Sequence, residues 1–255
     1  MRLLQLVVVA VLLALPATAG ASAFAGTLEM QLSAEKAGGG GTLKILVGDA
    51  GVLSEMQLRA GALGQVSVRY LVKKRVPDIV WIIDDASKTY REVSTKVPGT
   101  TQAVDDDAWN MKKIGTETIS GYACVHVVGT SSTGARLEMW TTKELMDGGQ
   151  FTRAIGKEAK VSDGLMKALA QQGADGFPAK IIRSAKDGST TSMQLVKVTK
   201  TPPPASTFEL PAGYTKGEGT GAVPPAVQKQ LDEAMKGLTA EQREQMKKMM
   251  QGQPR

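Results

Sequence analysis

Residues 65–72 read Gln65-Val66-Ser67-Val68-Arg69-Tyr70-Leu71-Val72. Val66, Val68, Tyr70 and Val72 alternate with Gln65, Ser67 and Arg69. An extended chain sends successive side chains to opposite faces, so this stretch predicts a strand with one apolar face. The same pattern lies upstream. Leu28, Met30 and Leu32 alternate with Thr27, Glu29 and Gln31, and Leu43, Ile45 and Val47 alternate with Thr42 and Lys44. Met56, Leu58 and Ala60 continue it. Gly38 to Gly41 reads as the connection between the first two strands, and Gly61 and Gly64 bracket the turn before residue 65. Downstream, Asp78 to Ile83 is apolar after its first residue, which predicts a strand buried on both faces. Asp84 to Lys88 is a turn, and Thr89 to Val93 returns from it. Regular short strands separated by turn signals predict a largely antiparallel sheet.

A second block begins with a hairpin. Thr116 to Ile119 leads through Ser120-Gly121 into Tyr122 to Val128, and Ala135 to Thr141 is a further strand. The period then changes. Lys143, Glu144, Leu145 and Met146 form a short helix capped by Thr141-Thr142. Ile155 to Gln172 places Val161, Leu165, Met166, Leu169 and Ala170 on one helical face, with Ser162 as a cap for its second half and Gly173 as its end. Phe177-Pro178 opens a strand through Ser184, Asp187-Gly188 reads as a two-residue hairpin turn, and Met193 to Lys200 is the returning strand. Thr201-Pro202-Pro203-Pro204 cannot continue a sheet. Phe208 to Tyr214 is a last apolar clip. Gly217 to Gly221 is a flexible linker, and Pro224-Pro225 starts a tail helix on Val227, Leu231, Ala234 and Leu238. Thr239 and Gln242 make a capping box for a second helix ending in Met246, Met249 and Met250.

The N-terminus sets the compartment. Arg2 precedes an apolar run from Leu3 to Leu15 that is interrupted only by Gln5 and stopped by Pro16. Ala17-Thr18-Ala19 and Ala21-Ser22-Ala23 both fit a small-x-small cleavage pattern. A core of this length is too short to cross a bilayer of about 30 Å as a helix. The reading is a secretory signal over residues 1–23, cleaved near residues 19–23, with a soluble periplasmic or secreted product that has no stable transmembrane anchor. No Cys follows the cleavage region to carry a lipid. The 255 residues are 42% hydrophobic, too apolar for a disordered chain. One Cys excludes an internal disulfide framework, and one Cys with one His excludes a Cys/His zinc cage.

Few residues suggest reaction chemistry. Cys124 and His126 stand two apart on a strand and so face one side, the arrangement of a nucleophile and its base. Their neighbours Val125, Val127 and Val128 favour an inert buried thiol beside a packed imidazole. Asp105-Asp106-Asp107 are adjacent rather than alternating, which suits a capped or solvated loop better than a calcium site. Lys73-Lys74-Arg75 is a basic turn. The glycine runs lack the Gly-Lys-Ser/Thr ending of a phosphate loop, and neither a Gly-x-Ser-x-Gly element nor a His–Glu helix motif occurs. The net charge of +6 comes from scattered basic residues, and only 4% of residues are aromatic, so nucleic-acid binding is not expected. The expectation is a non-enzymatic protein, without cofactor or metal site. The Met-rich end, with Lys247 and Lys248, forms a small basic amphipathic surface.

Four motifs together resemble a known family. Thr116-Glu117-Thr118-Ile119-Ser120-Gly121-Tyr122-Ala123-Cys124 resembles the T-E-T-I-x-G-Y-x-C hairpin of a bacterial secreted family of unknown function, DUF4412-like, itself similar in fold to the lipoprotein-localisation proteins LolA and LolB. Leu137 to Leu145 resembles its E-x-W-x-T-K-E-L passage, Gly176-Phe177-Pro178-Ala179-Lys180 its G-F-P-x-K entry, and Phe208 to Lys216 its F-x-x-P-x-G-Y-x-K clip. The resemblance covers residues 24–216, leaving 217–255 as a linker and helical tail. It implies a mainly β (α+β) domain in which a curved antiparallel sheet forms an incomplete barrel wrapped around helices, and it brings no catalytic residues. A half-barrel leaves a concave apolar face to be covered or filled. Two functions follow. In the first, a monomeric periplasmic protein holds a lipid, an acyl chain, a hydrophobic peptide or a lipoprotein, with Met56, Leu58, Val68, Tyr70, Trp81 and Trp140 lining the site. In the second, the core is self-filled and the surface or tail docks an envelope protein.

Overall fold

The alternating stretches pair edge to edge in a computed structural model that describes residues 24–35, 39–59, 65–94, 109–145 and 163–217. Two antiparallel meanders build one sheet. The first is β1 (Gly26–Ala34), β2 (Gly39–Gly48), β3 (Gly51–Arg59), β4 (Gln65–Lys73), β5 (Ile79–Asp84) and β6 (Thr89–Ser94). The second is β7 (Trp109–Ile119), β8 (Tyr122–Ser131), β9 (Arg136–Thr142), β10 (Phe177–Ser184) and β11 (Thr190–Thr199). They join where β1 pairs with β11, Leu32 standing opposite Met193. A short β12 (Thr215–Lys216) runs parallel to β6. The result is a twelve-stranded, mostly antiparallel open sheet in the order β12-β6-β5-β4-β3-β2-β1-β11-β10-β9-β8-β7. The helix α1 (Asp163–Gln171) packs on it. The protein is therefore mainly β.

Local sequence explains the turns. Ser120 and Gly121 both have positive φ, 50° and 85°, which is the two-residue turn that matches strand twist. It joins Ile119 to Tyr122 directly. The Asp187-Gly188 turn is longer than its dipeptide suggests. The Ala185 amide donates to the Ser189 carbonyl at 2.8 Å, so three residues form the loop, and Gly188 supplies the left-handed position at φ 72°. Asp187 Oδ1 accepts the Ser189 amide at 2.8 Å and fixes it. Gly173 ends α1 at φ 68°, its amide donating to Ala170 O while the Ala174 amide donates to Leu169 O. These two bonds satisfy carbonyls that the helix leaves open.

Two expectations change. Gly39 to Gly41 lie inside β2 rather than in a connection. A Cβ at Gly41 would stand 2.0 Å from the Gln57 carbonyl oxygen, so glycine there lets β2 approach β3 closely. Lys143 to Leu145 form a turn, not a helix; the Thr142 hydroxyl accepts the Glu144 amide at 3.2 Å, as expected of a cap. The signal region 1–23, Gly38, Ala60, Gly61, Gly64, Asp105 to Asp107, Met146, residues 155–162 and the tail from 218 lie outside the described residues.

Paired residues of antiparallel strands share a face, so the register defines the two surfaces. On one, here called inner, Val66, Leu58, Gly41, Leu32, Met193, Ile181, Met139 and Val127 stand in a single row across eight strands. The outer surface of β2 to β6 carries Leu46, Leu53, Leu71 and Trp81. Phe208 packs against them from a 3-10 turn, Ala205–Phe208. The β3–β5 region is thus apolar on both faces, as the continuous apolar run of β5 requires. The sheet also folds back on itself: the Ser120 hydroxyl, in the turn before β8, donates to the Leu195 carbonyl of β11. In a flat sheet β8 and β11 are three strand spacings apart, about 14 Å.

Candidate functional site

The inner face is built by four parallel registers. Gly26, Val47, Val52, Val72, Val80 and Val93 form the first. Val198, Leu28, Ile45, Ser54, Tyr70, Ile82 and Arg91 form the second. Leu195, Met30, Leu43, Met56 and Val68 form the third, and the eight-strand row described above is the fourth. Leu28, Met30, Leu32, Leu43, Met56 and Leu58 are all at most 1% exposed and belong to one packed cluster. Among the described residues, strand side chains supply nearly all of it, with Phe24, Leu145 and Met166 as additions from elsewhere. Leu165 and Leu169 of α1 cover the far end, against Met111, Val127, Leu137 and Met139.

Met56, Leu58, Val68 and Tyr70 therefore come together on the inner face. Trp81 does not join them. It packs under Phe208 on the outer side, its indole Nε1 donating to Glu92 Oε1 at 3.3 Å. Trp140 touches the main cluster, but its register partners His126 and Lys180 place it in the outer polar row with Gln194 and Gln31.

Three polar residues on the inner face were not singled out in the sequence. Ser54, Asp84 and Arg91 are 0%, 4% and 7% exposed. Asp84 Oδ1 accepts the Ala86 and Ser87 amides at 3.0 and 3.3 Å, fixing the β5–β6 turn, while its Oδ2 and the Ser54 hydroxyl have no hydrogen-bond partner among the described residues. Burial pushes the Arg91 guanidinium below its usual range, and the charge of Asp84 pulls it back up. Burial likewise raises the Tyr70 phenol, with Arg91 opposing. One signal was available: in Thr89-Tyr90-Arg91-Glu92-Val93, a period of two puts Arg91 on the face of buried Val93.

The second cluster is an outer one. His126 stacks on Trp140 with ring centres 4.1 Å apart and planes 14° from parallel. Lys180 Nζ sits 4.6 Å from the Trp140 ring centre, within cation–π range. His126 Nδ1 lies 2.8 Å from Glu117 Oε1, and Nε2 lies 3.5 Å from Glu138 Oε2. Neither contact is aligned as a hydrogen bond. The imidazole nitrogens thus face carboxylates. The Cys124 thiol donates instead to the Tyr122 carbonyl at 3.4 Å, and burial raises its pKa. That is the environment of a packing thiol, not of an activated nucleophile. Among the described residues, no group of three or more His, Cys, Asp and Glu converges on a metal position, and no helix is long and apolar enough to cross a membrane.

Comparison with known proteins adds the following. A family model described as "Domain of unknown function (DUF4412)" matches residues 24–214. No curated protein matches the chain. Among solved structures, it is similar to an uncharacterized conserved protein from Thermus thermophilus, with 11% identity, 76% of this chain and 90% of that chain covered, and a TM-score of 0.42. It is similar to the Mycobacterium tuberculosis lipoprotein LppX, with 11% identity, coverage of 71% and 90%, and a TM-score of 0.36. It is also similar to a LolA superfamily protein from Nitrosomonas europaea, with 11% identity, coverage of 82% and 97%, and a TM-score of 0.31.

Proposed function

This chain belongs to the DUF4412 family, and from that premise we propose that it is a soluble, exported binding protein whose sheet curls into an incomplete barrel and holds an apolar guest against its inner face. Residues 1–23 direct export to the periplasm or beyond and are removed, residues 24–216 form the binding domain, and residues 217–255 are a linker and helical tail. The guest is a lipid, an acyl chain or a hydrophobic peptide, including the acyl part of a lipoprotein. Met56, Leu58, Val68 and Tyr70 line its site, Trp140 stands at the rim, and Trp81 lies behind the sheet.

The observation that carries this reading is the inner face itself. An apolar sheet face needs a second layer against it. Among the described residues, the main cluster draws chiefly on strand side chains of one sheet, whereas the outer face of β2 to β6 has its own cover in Phe208, Leu210 and Tyr214. The contact of Ser120 with Leu195 and the bulges in the β1–β11, β7–β8 and β9–β10 pairings support strong curvature. The test is titration of delipidated protein with a fluorescent fatty acid. Saturable one-to-one binding, weakened by Leu58→Asp, is the expected result; a linear, unsaturable signal rejects the reading.

A second reading has an observation of its own. Leu28, Met30 and Leu32 are at most 1% exposed, as a self-filled core requires. In that case the protein is a non-enzymatic interaction protein that docks an envelope partner through its surface or tail. The fluorescent titration separates the two.

A further inference from the structure

The inner face changes chemistry along one register. Val198, Leu28 and Ile45 are apolar, and then come Ser54, Tyr70, Ile82 and Arg91. Asp84 stands on the same side, two residues beyond Ile82. The register on one side stays apolar, with Val52, Val72 and Val80, and on the other Leu43, Met56 and Val68 lead up to Asp84 on β5. The polar patch thus lies at one end of a greasy surface. Ser54, Tyr70, Asp84 and Arg91 are each more than nine-tenths buried. Among the described residues, the Ser54 hydroxyl and Asp84 Oδ2 lack a hydrogen-bond partner. Buried polar atoms in native folds are satisfied as a rule, so two such atoms in one patch mark where a partner belongs.

We propose that the inner face takes an acyl ester with a neutral, hydroxyl-bearing head, such as a monoacylglycerol. The chain lies along the apolar registers, and the ester and hydroxyl oxygens meet Ser54, Tyr70 and Asp84. Asp84 Oδ2 can only accept, so the head must bring a donor, which a hydroxyl supplies and an ionised fatty acid does not. Ser54 and Tyr70 each carry a hydroxyl able to donate to an ester oxygen. The negative field of Asp84 already acts on Arg91, so a free carboxylate placed here meets an anion as well as a cation. From β3 to β5 is two strand spacings, about 10 Å, the order of size of a small polyol ester rather than of a single ion.

This rests on the reading that the inner face binds an apolar guest, and the experiment separates the two claims. Delipidated protein is dialysed to equilibrium against radiolabelled 1-monopalmitoylglycerol and, separately, palmitate. The expected result is binding of the monoacylglycerol at least about tenfold tighter, because a site built to hydrogen-bond a hydroxyl discriminates against a ligand lacking it. Ser54→Ala and Asp84→Asn each weaken monoacylglycerol about fivefold or more and leave palmitate within about twofold. Ser54→Ala removes a single hydroxyl and keeps the test intact if Asp84→Asn does not fold. Palmitate binding as tightly as the ester, or variants that weaken both lipids alike, overturns the head-group assignment while the binding reading stands. Absence of binding by both lipids overturns both.

Discussion

Arg91 and Cys124 show how far one buried side chain constrains the rest. A guanidinium inside an apolar face is tolerable only beside compensating groups, and Asp84 provides part of that compensation. Asp84→Ala removes this charge and also frees the Ala86 and Ser87 amides, so it is expected to cost on the order of 3 kcal/mol. The midpoint of denaturant unfolding measures it, and a change below about 0.5 kcal/mol, the usual range for a surface substitution, contradicts the buried-charge argument. Cys124 is 0% exposed with its thiol pKa pushed up by burial. Thiol reagents react through the thiolate, so labelling of the native protein at neutral pH should be slow and should become stoichiometric only on unfolding. Rapid labelling of folded protein would show that the strand carrying Cys124 opens readily. Much of this is readable from spacing: alternation alone groups Met56 and Leu58 with Ser54, and Val93 with Arg91. What hides the polar members is the ordinary solvation of serine and arginine, which makes an outward reading the default.

The C-terminal clip is the clearest case of a segment whose role depends on what it covers. Phe208 is 1% exposed on Leu53, Leu71, Trp81 and Ile83. Its ring leaves room only for glycine at position 48, where a Cβ would lie 2.6 Å from it. Around the ring, Lys73 pairs with Glu209, the Tyr214 hydroxyl donates to Asp85 Oδ1 at 2.7 Å, and Lys216 pairs with Glu92. Phe208→Ala should cost about 3–5 kcal/mol, and Gly48→Val should destabilise through the same contact. Combining the two should give less than the sum, because both unseat one ring; strict additivity refutes the shared-contact account. The ion pair adds a pH dependence. Hydrogen bonding from Lys216, ahead of that from Trp81, holds the Glu92 carboxyl below its ordinary value of 4.5. A carboxyl lowered in the folded state contributes stability above its unfolded pKa and loses it as pH falls through the folded value. Lys216 is raised by the same bond, so its contribution is present below 10.5 and disappears as pH rises through the folded value. Glu92→Gln should therefore flatten the acid limb of a stability-versus-pH curve, matching the native protein at low pH and falling slightly below it at neutral pH; an unaltered acid limb argues against the pair. The Phe-Glu-Leu-Pro-Ala-Gly-Tyr run is recognisable in the sequence, but its target is not. A strand apolar at every position gives no alternation to say which way Trp81 points, and only the clip above it decides.

The joining of two meanders through β1 and β11 gives the molecule its long-range character. Leu28 pairs with Val198, so the sheet is complete only when distant parts of the chain have met. Sheets closed by such pairings fold slowly, because the loop entropy is lost before the contacts form. The register of this seam could not be read in the sequence. Strand existence follows from period two, whereas the choice of partner depends on which faces must be buried together. The inner face is continuous across the seam, from Leu58 through Leu32 to Met193 and Ile181, so anything occupying it bridges both meanders. A guest held there binds the folded state alone and must raise its stability by linkage. At a free ligand concentration of one hundred times Kd the gain is about 2.7 kcal/mol. For a domain of this size that corresponds to a rise in Tm of roughly 5–10 °C. Delipidated protein heated with and without a saturating acyl ligand should show this shift as one cooperative transition. A ligand that binds the tail equally in the folded and unfolded protein leaves Tm unchanged. The same experiment on Phe208→Ala sharpens the assignment: its starting Tm is lower, but the ligand-induced rise should persist, since the clip and the inner face lie on opposite sides of one sheet. Loss of the shift in that variant would place the guest under the clip instead.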